Sequence, residues 1–186
     1  MPSEDRPKGA VLRAGAQECC LLALACLASY ALVVWLSSLV PWVGSTDHIV
    51  GGVWAVIATI IVSKNSYEQT AAAVVSRVYG TLVGIVLCLV YLIFFPFHVW
   101  GLALLIGLSA FVTVLIGRPG DAPAAAITTA VLIGLAQLNP HDAWREPIIR
   151  LADTIVGAAI GLLAAWVGLR LLKLDPTVTA DAGRDV

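Results

Sequence analysis

SRVYGTLVG (76–84) and IRLADTIVG (149–157) carry the same phrase: an arginine, a threonine four places on, then valine and glycine. Arg77 and Arg150 lie 73 residues apart, and Thr81 aligns with Thr154, Val83 with Val156 and Gly84 with Gly157. Each copy heads a long apolar run. Read as helices, Arg77, Gly80, Thr81, Gly84 and Cys88 share one face at steps of three or four, as do Arg150, Asp153, Thr154, Gly157 and Gly161. Each face is a charged head above a column of small residues, and such columns let membrane helices approach closely. Gly80, Gly84, Gly157 and Gly161 are therefore expected to serve helix packing.

The chain has 186 residues, of which 60 % are hydrophobic and 12 % charged, with a mean hydropathy of +0.93. A soluble domain carries about twice that charge, and too little polar sequence remains here to coat a soluble bundle. Several apolar runs approach or exceed the roughly 20 residues that cross a bilayer. The expected fold class is an all-α integral membrane protein. Eleven basic and 12 acidic residues give a net charge of −1, with no basic block to suggest nucleic acid. The first apolar stretch is too long for a signal-peptide core and reads as a retained span. Cys19, Cys20, Cys26 and Cys88 sit at or inside apolar runs, without metal-ligand spacing to the histidines, and read as small packing residues. With no serine elbow, zinc-binding histidine pair or Walker glycine loop, the expectation is no enzyme, no metal, no cofactor and no ATP motor within the chain.

Punctuation divides the apolar sequence into six spans, at about 18–40, 49–63, 78–95, 99–117, 124–138 and 148–172. The third lies on a helix that starts near Ser66 with the mixed turns SYEQTAAAVVSR. Pro41 with residues 44–48, Pro96 with His98, RPGDAP (118–123) and NPHDAWREP (139–147) are the breaks. The expected organisation is a cytoplasmic segment 1–17, a six-span domain 18–172 and a short cytoplasmic tail 173–186. Six crossings put both ends on one side, with Arg6, Lys8, Arg13, Lys64, Arg77, Arg118, Arg170, Lys173 and Arg184, and leave Arg145 and Arg150 on the other. That bias places both termini in the cytoplasm. His48, His98 and His141 then face outward as loop residues. Three spans fit inside the 73-residue offset. Three is odd, so the second copy enters the membrane from the opposite face, giving two inverted three-helix repeats at about 11–95 and 99–172.

An ionisable group in a membrane helix is costly and points to function. Arg77 and Arg150 both lie near helix amino ends, where free N–H groups and the dipole favour an anion, and a guanidinium offers planar donors suited to a carboxylate. Two such ends pointing inward from opposite faces make a path for an organic anion. The plainer readings are snorkelling of the arginines to headgroups and an i,i+3 pair between Arg150 and Asp153. Trp54, inside the second span, either stacks on an aromatic substrate or packs. Trp35, Trp42, Trp100, Trp144 and Trp166 are interfacial anchors. Lys64 either gathers anions at the cytoplasmic mouth or pairs with Glu68 at i,i+4. Thr128 and Thr129 offer hydroxyls, which in helices usually bond back to the chain. The expected substrate contacts are Arg77, Arg150, Trp54, Lys64, Thr81, Thr154 and Asp153. Asp153 and Glu18 are the candidates for proton coupling. Asp121, Asp142 and Glu146 read as solvated loop groups.

GGVWAVIATIIVSKNSYEQTAAAVVSRVYGTLVGIVL (51–87) and RLADTIVGAAIGLLAAWV (150–167) resemble the fusaric acid resistance and aromatic acid exporter family, which is similar in turn to the membrane domain of plant aluminium-activated malate transporters. The resemblance covers about residues 11–172. It implies a six-span module in a bacterial inner membrane that exports organic, often aromatic, acids by secondary transport. Many relatives carry a large cytoplasmic domain or a duplicated unit, and residues 173–186 offer neither. The partners so implied are a small organic anion, membrane lipid and a second copy of the chain, with a dimer favoured; a partner membrane or periplasmic subunit stays open. The alternatives are a channel-like anion conductor on the same scaffold and a non-transporting subunit of a larger assembly.

Overall fold

Local chemistry sets the helix ends. In the computed structural model, which describes residues 8–41, 44–64, 66–95, 98–136 and 145–171, these ends separate six helices: α1 (Lys8–Ser38), α2 (Ser45–Val62), α3 (Tyr67–Phe94), α4 (Val99–Leu115), α5 (Ala122–Ala136) and α6 (Arg145–Leu171). Ser66 caps α3 by accepting from the Gln69 N–H at 3.2 Å, satisfying a donor that the first turn leaves free. At the end of α4, Gly117 takes a left-handed φ of 81°. The Arg118 N–H then reaches back to the Thr113 carbonyl and the Gly117 N–H to the Val114 carbonyl, the paired bonds of a glycine stop. A 3₁₀ turn, Pro119–Asp121, leads into α5. Residues 1–7, most of the tail, Trp42, Trp144, His141 and Asp142 lie outside the described residues, as do Arg6, Lys173 and Arg184.

The described residues form helices joined by short turns, with no strand among them. Four segments are long and apolar enough to cross a bilayer: Gly15–Ser38, Tyr67–Phe94, Pro119–Ala136 and Arg145–Arg170. The sequence suggested six. α2 and α4 are equally apolar and have 18 and 17 residues, about 27 and 26 Å of helix, close to the 18 residues of Pro119–Ala136 and a little short of the roughly 30 Å hydrocarbon core. The surface is what lipid wants. Leu24, Leu27, Leu104, Phe111 and Leu163 are exposed, while Thr59, Thr70, Thr113, Arg77 and Arg150 are buried. A bundle apolar outside and polar inside inverts the soluble arrangement.

Close approaches fix the directions. Along α2 and α6, Gly51 faces Asp153, Ala55 faces Gly157, and Thr59 and Val62 face Gly161, so these helices run parallel. Along α3 and α5, Gly80 faces Ala124 and Ala125, and Gly84 faces Thr128 and Thr129, so these run parallel too. Thr70 of α3 shares a cavity with Ala164 and Gly168 of α6, whereas Arg77, two turns further on, meets Trp54 beside Thr154. Consequently α3 and α6, which also pack together, run in opposite directions. The neighbour pattern is unchanged when α1, α2 and α3 are exchanged for α4, α5 and α6: α1 packs on α2 as α4 packs on α5, and α2 packs on α6 as α5 packs on α3.

Thr59 ties three helices together. Its hydroxyl lies 2.8 Å from Ser29 Oγ on α1 and 2.9 Å from the carbonyls of Ala55 and, across the interface, Gly157. Thr59→Val keeps the volume and deletes both interhelical bonds. At an average of about 0.6 kcal/mol for such a bond in a membrane bundle, the loss is ~1 kcal/mol. Thermal unfolding in detergent should show a melting temperature about 2–4 °C lower.

Candidate functional site

The repeated phrase places its arginines inside the protein. Arg77 is 1 % exposed and Arg150 is fully buried, so neither reaches headgroups. Their surroundings differ. Arg150 is ligated by its own helix: Nη1 donates to Asp153 Oδ2 at 2.8 Å, and Nε lies 3.4 Å from Glu146 Oε2. The i,i+3 pair expected from the sequence is present. Glu146, expected in solvent, is 6 % exposed and is the second counter-ion, at i,i−4. That spacing was the signal available; the polar composition of residues 139–147 hid it.

Among the described residues Arg77 has no counter-ion. Its Nε, Nη1 and Nη2 are all buried without a hydrogen-bond partner. The guanidinium instead lies over the Trp54 ring, 5.3 Å from the centroid, a cation–π contact. Trp54 is buried on α2 and donates from Nε1 to Thr154 Oγ1 at 2.9 Å; Thr154 donates to the Arg150 carbonyl at 2.8 Å. One chain of contacts thus links Arg77 on α3, Trp54 on α2, and Thr154 and Arg150 on α6. Thr81, one turn beyond Arg77, is buried with an unpartnered hydroxyl, and so are Thr128 and Thr129 on α5. The latter two do not bond back to their own helix as expected; α3 packs against them at Gly84. An unsatisfied buried polar atom costs roughly 1–3 kcal/mol and a charged one more. A guanidinium and three hydroxyls are thus left unsatisfied in the interior.

Lys64 is not part of this cluster. It lines a cavity of about 570 Å³ at one end of the bundle, with Glu18, Leu21 and Leu22 of α1, Tyr67, Glu68 and Thr70 of α3, and Ala164, Ala165, Gly168 and Leu169 of α6. The turn between α4 and α5 closes on the amino half of α3: Arg118 pairs with Asp121 at 2.6 Å and lies 4.8 Å from the Tyr79 ring centroid, and Ser76 bonds to Asp121. Asp121 is buried, contrary to the loop reading. His48 begins α2 and bonds through Nδ1 to Ser37 Oγ at 2.6 Å, fastening α1 to α2. Trp35, Trp100 and Trp166 are exposed, as anchors should be.

An apolar exterior, four membrane-length helices and a buried charge cluster define a multi-pass membrane protein with a polar interior. Residues 32–164 match the model of the fusaric acid resistance protein-like family, and the chain belongs to that family. Membership assigns it, at the level of class, to membrane transport and efflux rather than to enzymes. No curated protein and no solved structure matches the chain.

Proposed function

We propose that the protein exports small organic acids, aromatic ones in particular, by secondary transport, and that the substrate carboxylate docks on Arg77. The observation that carries this is the Arg77 guanidinium, buried and without a counter-ion beside an indole ring. Thr81 and Thr154 stand on either side of that contact, and Trp54 offers the ring of an aromatic acid a flat neighbour. Lys64 draws anions to the end cavity. Arg150 and Asp153 border the far side of the site as an ion pair.

The proposal includes six crossings as two inverted repeats. Its support is the opposed direction of α3 and α6, the exchangeable neighbour pattern, and the way α2 follows α6 from Gly51 to Val62. Both termini are assigned to the cytoplasm of a bacterium, beneath its inner membrane, on the bias of the basic residues along the sequence. A homodimer completes the assembly, closed symmetry being the common form of self-association.

Proteoliposomes test the activity. Uptake of a radiolabelled hydroxybenzoate should saturate and depend on the protein. A hydrogen bond to a charged group contributes roughly 1.5–3 kcal/mol, so Arg77→Ala should weaken apparent affinity at least tenfold. Arg77→Lys keeps the charge without the planar fork, and its effect should be smaller. Uptake by Arg77→Ala equal to wild type would remove the assigned site; unsaturable, channel-sized flux would replace an exporter with a conductor.

A further inference from the structure

The two copies of the phrase differ at two positions that decide what each arginine can bind. Carried back by 73 residues, Glu146 falls on Ala73 and Asp153 on Gly80. Both counter-ions of Arg150 are therefore replaced, in the first copy, by residues without a polar side chain. The change at Gly80 leaves no room. On α6 the Asp153 carboxylate is accommodated because α2 has glycine opposite it, at Gly51; on α3 it is Gly80 that makes room for Ala124, whose Cβ would lie 2.9 Å from a Cβ at position 80. The change at Ala73 does leave a way in. Thr70, Ala73 and Arg77 follow one another on one face of α3, Thr70 lines the end cavity, and Ala73 is half-buried.

Resting on the reading that Arg77 receives an organic acid, we propose that Arg77 is the chain's single anion receptor, that the substrate supplies the carboxylate which Glu146 supplies to Arg150, and that the selected class is monocarboxylates with an apolar body. The carboxylate arrives from the cavity along the Ala73 side. One unpaired guanidinium neutralises one carboxylate, and Arg150, already held by Glu146 and Asp153, has no charge left for a second. The cavity wall repeats that preference. Leu21, Leu22, Ala164 and Leu169 suit a hydrocarbon body, and with Lys64 set against Glu18 and Glu68 the cavity offers no net positive charge to a further carboxylate. Its volume is within the range that holds a small ligand.

The test is equilibrium binding of benzoate and of terephthalate, which keeps the ring and adds a carboxylate, to detergent-purified wild type, Ala73→Glu and Ala73→Gln, with thermal unfolding of each. Wild type should prefer benzoate at least tenfold. A glutamate four residues before an arginine is the favourable order on a helix, so Ala73→Glu should pair with Arg77. It should bind benzoate at least tenfold more weakly than Ala73→Gln and melt at a higher temperature. Equal affinity in the two variants, a lower melting temperature for Ala73→Glu, failure of either to fold, or tighter binding of terephthalate would each overturn the proposal. Wild type that binds neither acid would instead sink the assignment of an organic acid to Arg77.

Discussion

Arg150→Met is expected to strip most folded protein from the membrane. The substitution leaves Glu146 and Asp153, both at most 6 % exposed, without the cation between them. Removing one partner of a buried ion pair costs about 3–5 kcal/mol, because the desolvated charge left behind has no compensation. Against a total stability of roughly 5–15 kcal/mol, that is decisive. Replacing the whole cluster is different: buried ion sets exchanged for neutral groups of similar volume are often tolerated. Glu146→Gln with Arg150→Met and Asp153→Asn should therefore recover folded yield, measured by size exclusion of detergent extracts. A triple variant as poorly folded as the single one would show that Arg150 stabilises through something other than this cluster.

Gly157→Val should be equally damaging for a reason of shape. A Cβ at position 157 would fall into the Ala55 carbonyl on α2, at the point where Thr59 also crosses to the Gly157 carbonyl. The obstacle is backbone and not a side chain that can rotate, so α2 and α6 must separate. Separation breaks the Thr59 bridge and draws Trp54 from Thr154. Overpacking alone costs about 1–3 kcal/mol, and the lost contacts add to it. Gly107→Val is the control, since a Cβ there meets nothing within 4 Å. Yields that match between the two would mean that the α2–α6 contact is not close in the native protein.

Much of this was legible in the sequence, and for physical reasons. Glycine and proline mark breaks because few other residues tolerate the turns, so RPGDAP ends α4 and begins α5 where expected. Periodicity exposed the glycine columns: Gly80, Gly84, Gly157 and Gly161 each face another helix closely. The i,i+3 spacing exposed Arg150 with Asp153. Other features left no local trace. Trp54 and Thr154 are 100 residues apart, and only tertiary packing joins them. Glu146 and Asp121 lie in stretches whose composition says loop, yet Glu146 sits in the first turn of α6, Asp121 closes the 3₁₀ turn before α5, and both are buried. The end cavity is assembled from three helices and the turn after α2, and no single stretch describes it.

The inequality of the two arginines is the feature most open to measurement. A buried guanidinium without a counter-ion destabilises the protein that holds it, so Arg77 is retained at a cost to stability. Arg77→Met should then have the opposite sign to Arg150→Met and melt at or above the wild-type temperature. A ligand that binds only the folded state raises the melting temperature, by about 2.7 kcal/mol of added stability at a hundred times its dissociation constant. Thermal unfolding of wild type and Arg77→Met, with and without a saturating hydroxybenzoate, reads both effects at once. The predicted result is a wild type stabilised by the acid and a variant that is already as stable without it and gains nothing from it. An Arg77→Met variant that the acid stabilises as much as wild type would contradict the assignment of Arg77 as the carboxylate receptor.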